Sequence, residues 1–288
     1  MQTIFTRKTT IAALAALLAG GALTARAQDA PATGTPTFRR PQMPEGGGDW
    51  AIVRAIQLRV RYPKSALRDY AQGQSIVSFG VAPSGQVCQI KIEHPLRPDL
   101  DSAVVQAVRL LPPLQPAQQH GRPVACLLRA PITFYIDNPA PLPRRPLPAL
   151  DSGQVRSTVA RMPLYQGRFA NTQLAADWVA EFLRLRGPGS CAIPRGGTSV
   201  VATVGPGGTL YNVQLLRYDE AQAAALHARF GDQVARLEDP EDEDFDEACL
   251  PQLAEAARHL SRLTPAYVDG HPVAVRLFLS LFDPKYPR

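Results

Sequence analysis

Residues 107–125 read AVRLLPPLQPAQQHGRPVA, and residues 256–274 read AARHLSRLTPAYVDGHPVA. The two stretches lie 149 positions apart and align without a gap. Ten of the 19 positions are identical, where unrelated segments of ordinary composition share about one. The identities include Leu114/Leu263, Pro116/Pro265, Gly121/Gly270, Pro123/Pro272 and Val124/Val273. The physical grammar is shared as well. A helical segment ends, Leu-x-Pro breaks it, a Gly makes a turn, and Pro-Val opens a strand. A unit present twice implies two copies of one small fold.

Upstream of the first stretch, Val77, Phe79 and Val81 alternate with Ser78 and Gly80. Pro83-Ser84-Gly85 makes a turn, and Cys88, Ile90 and Ile92 then alternate with Gln89 and Lys91. This pattern predicts two antiparallel strands, 75–81 and 87–92, with one buried face. Before them, Trp50, Val53, Ile56 and Val60 give a helix over 50–61 that Tyr62-Pro63 stops. After them, Asp99 caps a helix to Leu111 with Leu100, Val104, Ala107 and Leu111 inward, and Pro112-Pro113 ends it. A third strand, 124–136, is interrupted at Pro131.

The second copy repeats the order with a helix over 175–186 and strands over 199–204 and 210–216 around Pro206-Gly207-Gly208. A helix over 250–260 and a strand over 272–282 complete it. Across the hairpin (Gly73/Gly196, Val77/Val200, Val81/Val204, Gly85/Gly208) the offset is 123, and it rises to 149 downstream. The second copy therefore carries a 26-residue insertion near 217–248, with a helical stretch over 221–237 and an acidic run over 238–247. A right-handed crossover carries strand three past strand two to pair beside strand one. The expected fold class is α+β: two tandem small αββαβ domains, each a three-stranded antiparallel sheet of order 2-1-3 with helices packed on one face.

The chain has 288 residues, 45% of them hydrophobic, which suits two domains. Its net charge of +6 is carried by scattered Arg, with no basic run interleaved with aromatics, so no nucleic-acid partner is expected. Arg7 and Lys8, the apolar run 11–23 and Ala25-Arg26-Ala27 form a secretory signal over 1–27 with a mature start at Gln28. The alternative is an uncleaved inner-membrane anchor over 9–25. With cleavage the protein is periplasmic or secreted, spans no membrane, and occupies an oxidising compartment. Residues 28–48 read as a flexible linker, 49–137 as the first domain, 138–156 as a Pro-rich linker, and 157–288 as the second domain.

Tyr62-Pro63, the Val77-x-Phe79-x-Val81 strand, Pro-Ser-Gly, the strand 87–92, the helix, Leu-x-Pro and Gly-Arg-Pro-Val together resemble the TonB carboxy-terminal domain, the periplasmic tip of an energy transducer for outer-membrane receptors. Met162-Pro163-Leu164-Tyr165-Gln166-Gly167 resembles the Met-Pro-x-aromatic-x-Gly start of many such domains, and Met43-Pro44-Glu45-Gly46-Gly47 resembles it in the first copy. Leu114 and Leu263 stand where the family usually has Trp, and Gly187-Pro188 replaces Tyr-Pro in the second copy. A transducer also keeps a membrane helix and a long Pro-rich linker. The resemblance therefore implies the fold, and not energy transduction.

No nucleophile elbow, zinc-helix motif, phosphate loop or Cys-x-x-Cys is present, and no enzyme, metal or cofactor is expected. His94, His120, His227, His259 and His271 lie at no metal-ligand spacing. Asp242, Asp244 and Asp246 imitate a calcium loop, but Glu247 and Leu253 stand where Gly and Glu are needed. The expected functional surface is a strand-three edge, Val124, Ala125, Cys126 and Leu127 in the first copy and Val273, Ala274, Val275 and Arg276 in the second. Such an edge takes up an extended segment of an envelope or outer-membrane protein as an added strand. The alternatives are an edge covered by the other copy or a linker, giving a structural or assembly protein, and an anchored transducer.

The 2-1-3 order also sorts the cysteines. Cys88 and Cys126 fall on the buried face, but strand one separates them by two spacings of about 4.8 Å, too far for a bridge. Cys191 precedes strand one of the second copy and Cys249 opens the helix after strand two, at the same sheet end. A Cys191–Cys249 disulfide is expected, with Cys88 and Cys126 free.

Overall fold

The computed structural model describes residues 38–137, 141–142, 147–149, 154–169, 171–186, 191–194, 197–235 and 245–282. The signal read over 1–27 lies outside these residues, as do 28–37 of the first linker, most of the acidic run and parts of the Pro-rich linker.

The first repeat contains β1 (Phe38–Arg39), α1 (Gly48–Arg59), α2 (Lys64–Arg68), β2 (Gly73–Val81), β3 (Val87–His94), α3 (Pro98–Arg109), β4 (Ala117–Gln119), β5 (Arg122–Val124) and β6 (Cys126–Phe134). The second contains α4 (Asn171–Leu185), β7 (Thr198–Val204), β8 (Leu210–Leu215), α5 (Glu220–Phe230), α6 (Leu250–His259), β9 (Ala266–Val268), β10 (His271–Val273) and β11 (Val275–Leu281). The main sheets are ordered β3-β2-β6 and β8-β7-β11, antiparallel throughout. Both thus have the 2-1-3 order of an α+β fold. The registers agree too: Val81 faces Cys126 and Val204 faces Val275, at the offsets of 123 and 149.

Turn chemistry is repeated as closely. Gly85 and Gly208 hold φ of +81° and +78°, and a Cβ on either meets a backbone oxygen, of Leu114 or Leu263, at 1.9 Å. The leucine N–H in turn donates to the glycine carbonyl, at 2.8 Å in both repeats. No side chain fits there. His120-Gly121 and Asp269-Gly270 all have positive φ and close the hairpins β4–β5 and β9–β10. These short hairpins precede each third strand and went unread in the sequence.

Several expectations need correction. Residues 38–48 are not wholly linker, because Phe38 and Arg39 pair with Gln119 and Gln118 and Met43 is buried. Trp50 is 63% exposed, and α1 buries Ile52, Ala55 and Ile56 instead. Two apolar stripes overlap on α1, and packing chooses the other one. Asp99 lies within α3, which starts at Pro98, and its carboxylate binds Arg97 and Ser65. Pro131 does not interrupt β6, since its missing N–H falls on the side away from β2. Arg39 and Gln42 contact Gln118 and Gln115, while Arg161 and Leu164 contact Tyr267 and Thr264. Met43 therefore corresponds to Tyr165, not to Met162, and Pro41 to Pro163.

Each sheet packs one face on its own helices. Val77, Phe79, Val81, Leu100, Val104 and Ile132 share one core. Trp178, Phe182, Val200, Val204, Leu253 and Leu277 share the other. The opposite sheet faces meet each other at Ile76, Val201 and Phe278. Strand β2 is consequently buried at all nine residues, not on one face only. The inserted helix α5 also lies on that second face of the first sheet, where Leu226 packs with Ala125, Val234 and Cys88. Gly80 makes room there, because a Cβ would come within 2.8 Å of both Cys88 Sγ and Leu226.

Candidate partner-binding edges

Strand three of each repeat turns one backbone edge away from strand one. The N–H of Ala125 donates to Gln233 O at 2.6 Å, and Ala125 O accepts from Ala235 N–H at 2.7 Å. Residue 274, the equivalent of 125, accepts from Arg156 N–H at 2.8 Å. Both contacts are parallel bridges, Ala125 to Val234 and Val275 to Arg156. Side-chain amides close the edge further along. Gln57 exchanges two hydrogen bonds with the Thr133 backbone, at 2.9 and 3.0 Å. Gln74 does the same with Phe278.

The expected surface at Val124–Leu127 and Val273–Arg276 thus meets an occupied edge. Val124, Ala125, Cys126, Val273, Ala274 and Val275 are buried; Leu127 is half-buried and Arg276 exposed. The physical reason is the insertion and the second linker, whose extended segments supply the partner groups. Glutamine side chains that act as fragments of a strand leave no periodic signal, so sequence reading missed Gln57 and Gln74.

The outer side of β8 differs. Among the described residues, no strand or backbone group pairs with it. Tyr211 is 45% exposed, Asn212 and Gln214 are exposed, and Leu210 and Val213 anchor the strand in the core. The corresponding edge of β3 is approached by the insertion, where Gln222 donates to Gln89 O at 2.6 Å and Lys91 pairs with Asp219.

The insertion is held to the first sheet by Arg129, which is itself part of a buried ion pair within that sheet. Arg129 and Glu93 are 7% and 10% exposed and meet at 2.8 Å. Arg129 also donates to Leu216 O at 2.9 Å and to Arg217 O, and lies over the Tyr218 ring. Ser78 bonds Gln222 at 2.6 Å beside it.

The sulfurs of Cys191 and Cys249 are joined, with Cα atoms 5.5 Å apart. Cys88 and Cys126 are free, but they do not share a face. Gln89 has φ of 50°, and the register slips between Ser78 and Gly80. This bulge turns Cys88 toward Leu226, while Ile90 and Ile92 stay with the first core and Cys126. Asn212 repeats the same bulge in β8. Burial raises both thiols, Cys126 to about 12. The His94 ring lies tilted against that of Phe278, with centroids 4.7 Å apart, and burial, with Arg276 nearby, lowers its pKa. Among the described residues, no group of three or more His, Cys, Asp or Glu is placed to hold a metal. Of the calcium-like run, Asp242 and Asp244 lie outside them.

Residues 59–136 match the sequence model of a family described as the Gram-negative bacterial TonB protein C-terminal region. The second repeat lies outside that match. Two NMR solution structures of the Helicobacter pylori TonB carboxy-terminal domain are similar to this chain. One is 24% identical, covering 33% of this chain and 88% of that one, with a TM-score of 0.25. The other is 26% identical, covering 31% and 94%, with a TM-score of 0.24. No curated protein matches the chain.

Proposed function

We propose that this chain is a non-enzymatic cell-envelope protein related to TonB, which takes up an extended segment of an outer-membrane or envelope protein as an added strand. TonB carboxy-terminal domains act in the periplasm as interaction domains for outer-membrane proteins, and the family match of residues 59–136 supports this setting. The single observation that carries the edge reading is the outer side of β8, unpaired among the described residues and flanked by Tyr211 and Gln214. An open strand edge offers a row of N–H and C=O groups to an extended chain. Strand three joins it only if residues 233–235 or 156 give way.

Two lysines on that edge, Tyr211→Lys with Gln214→Lys, test the reading, because charge on an edge opposes strand addition. The expected result is unchanged circular dichroism and melting with loss of outer-membrane protein capture. Undiminished capture contradicts the proposal.

A structural or assembly role is the second reading, favoured by the closed strand-three edges. The transducer alternative, with an uncleaved anchor over residues 9–25, concerns a stretch outside the described residues. Among the described residues, no helix is long and apolar enough to cross a membrane.

A further inference from the structure

The helical layers of the two repeats carry different outer surfaces. In the second, Glu181 pairs with Arg184 and His259, Glu255 pairs with Arg258, and no large apolar side chain is exposed on α4 or α6. In the first, Trp50 is 63% exposed and Leu58 74% exposed. They stand at positions i and i+8 of α1 with exposed Arg54 between them at i+4, so the three form one row along the helix. Gln57, beside the row, holds the Thr133 edge, so α1 cannot roll to bury it. Leu67 is also exposed, on α2.

The charge carried by residues 50–68 is all positive, and Asp69 beyond them pairs with Arg97. Arg54, Arg61, Lys64 and Arg68 are exposed, and none has an acidic partner among the described residues. Asp49, the one acidic residue from 48 to 68, pairs with Arg40. Exposed apolar side chains followed closely in sequence by exposed cations suit a surface that is both greasy and negative. Tryptophan and arginine are the residue types that settle at a bilayer interface, the ring at headgroup depth and the cation reaching phosphate.

We propose that the Trp50–Arg54–Leu58 row of α1 docks on an anionic phospholipid surface, with Arg61, Lys64 and Arg68 reaching the headgroups. The complementarity of charge selects lipid over a second copy of the chain, whose matching face would bring the same cations together. Docking lays the first repeat's helices on the membrane and turns its sheet, with the second repeat behind it, away from the lipid. This inference does not depend on strand capture at β8.

The chain has two tryptophans, which makes the test direct. Trp178 is fully buried, with its Nε1–H on Leu253 O at 2.8 Å, so a change in emission reports Trp50. The exported protein is mixed with vesicles of phosphatidylcholine alone or with added phosphatidylglycerol. Blue-shifted emission and protection from iodide are expected only with phosphatidylglycerol, and both fade as salt shortens the screening length. Replacing Arg54, Arg61, Lys64 and Arg68 together with Glu weakens partition about a thousandfold or more, given about 1 kcal/mol for each basic residue near the surface. Their replacement with Gln gives an intermediate value. Unchanged Trp50 emission on phosphatidylglycerol vesicles overturns the proposal. An equal shift on neutral vesicles, or one that follows protein concentration without lipid, overturns it as well.

Discussion

Gln74 of the first repeat acts as a strand fragment for Phe278 of the second. Its Oε1 accepts from the Phe278 N–H at 2.9 Å, and its Nε2 donates to the Phe278 carbonyl at 3.5 Å. Gln74 is 3% exposed and Phe278 5%, so water cannot replace either bond. With Ile76, Val201 and Phe278 packed alongside, the two repeats belong to one body spanning residues 36–288.

Gln74→Leu leaves both backbone groups of Phe278 buried without partners. The expected cost is about 2–6 kcal/mol, from roughly 1–3 for each unsatisfied group. Urea unfolding followed by circular dichroism checks it. One cooperative transition at lower urea is expected for the variant, and one transition for the parent. Two separate transitions in the parent would show that the repeats fold independently.

Arg129→Ala removes the cation that holds the insertion to the first sheet. Glu93 is then left buried without its cation and the half-buried Leu216 carbonyl loses its donor, and a loss of about 3–5 kcal/mol is expected. The double variant Glu93→Gln, Arg129→Met recovers part of it. Hydrogen exchange places the effect: the Ala125 and Ala235 amides lose protection first, because the insertion carries the segment that covers that edge.

His94 gives the interface between the repeats a pH dependence. Burial, then Arg276, keeps its folded pKa below the unfolded value near 6.5. The unfolded chain therefore binds the proton more tightly. Stability from this residue is present above about pH 6.5 and falls as pH drops through that value toward the lower folded pKa. Urea midpoints between pH 8 and pH 5 test this. His94→Gln flattens the slope across that window, whereas an equal slope in the variant assigns it elsewhere.

The sulfur chemistry is tested by non-reducing peptide mapping. A linked Cys191–Cys249 peptide is expected, with Cys88 and Cys126 as free thiols. With a sequence separation of 58, loop closure contributes about 4 kcal/mol on the chain-entropy model. Reduction lowers the urea midpoint accordingly. Cys88, half-buried, alkylates faster than Cys126, which is buried and raised to about 12.

The duplicated stretch makes the strand order and the main turns legible, because Leu-x-Pro, the paired glycines and the alternating strands are local patterns. The same locality explains the failures. Parity puts Cys88 on the buried face with Ile90 and Ile92, and the one-residue bulge at Gln89 reverses it without any Gly or Pro to mark it. Trp50 shares a helical stripe with Val53, Ile56 and Val60, but a second stripe suits the same helix in isolation, and packing buries that one. The occupied edge at Ala125 depends on residues 233–235, more than a hundred positions away, which carry no strand-like alternation. β8 was read as an edge from the strand order alone, but which edges stay open depends on the insertion and the linker.

The most direct measurement is a map of photo-crosslinks from single positions on the sheet edges in living cells. A photoreactive residue is placed at Tyr211, at Leu127 or at Arg276, and the cross-linked segment is identified by mass spectrometry. Position 211 is expected to capture an extended segment of an outer-membrane or envelope protein, with positions 127 and 276 giving little. No product at 211, or capture only from 127 and 276, would contradict it.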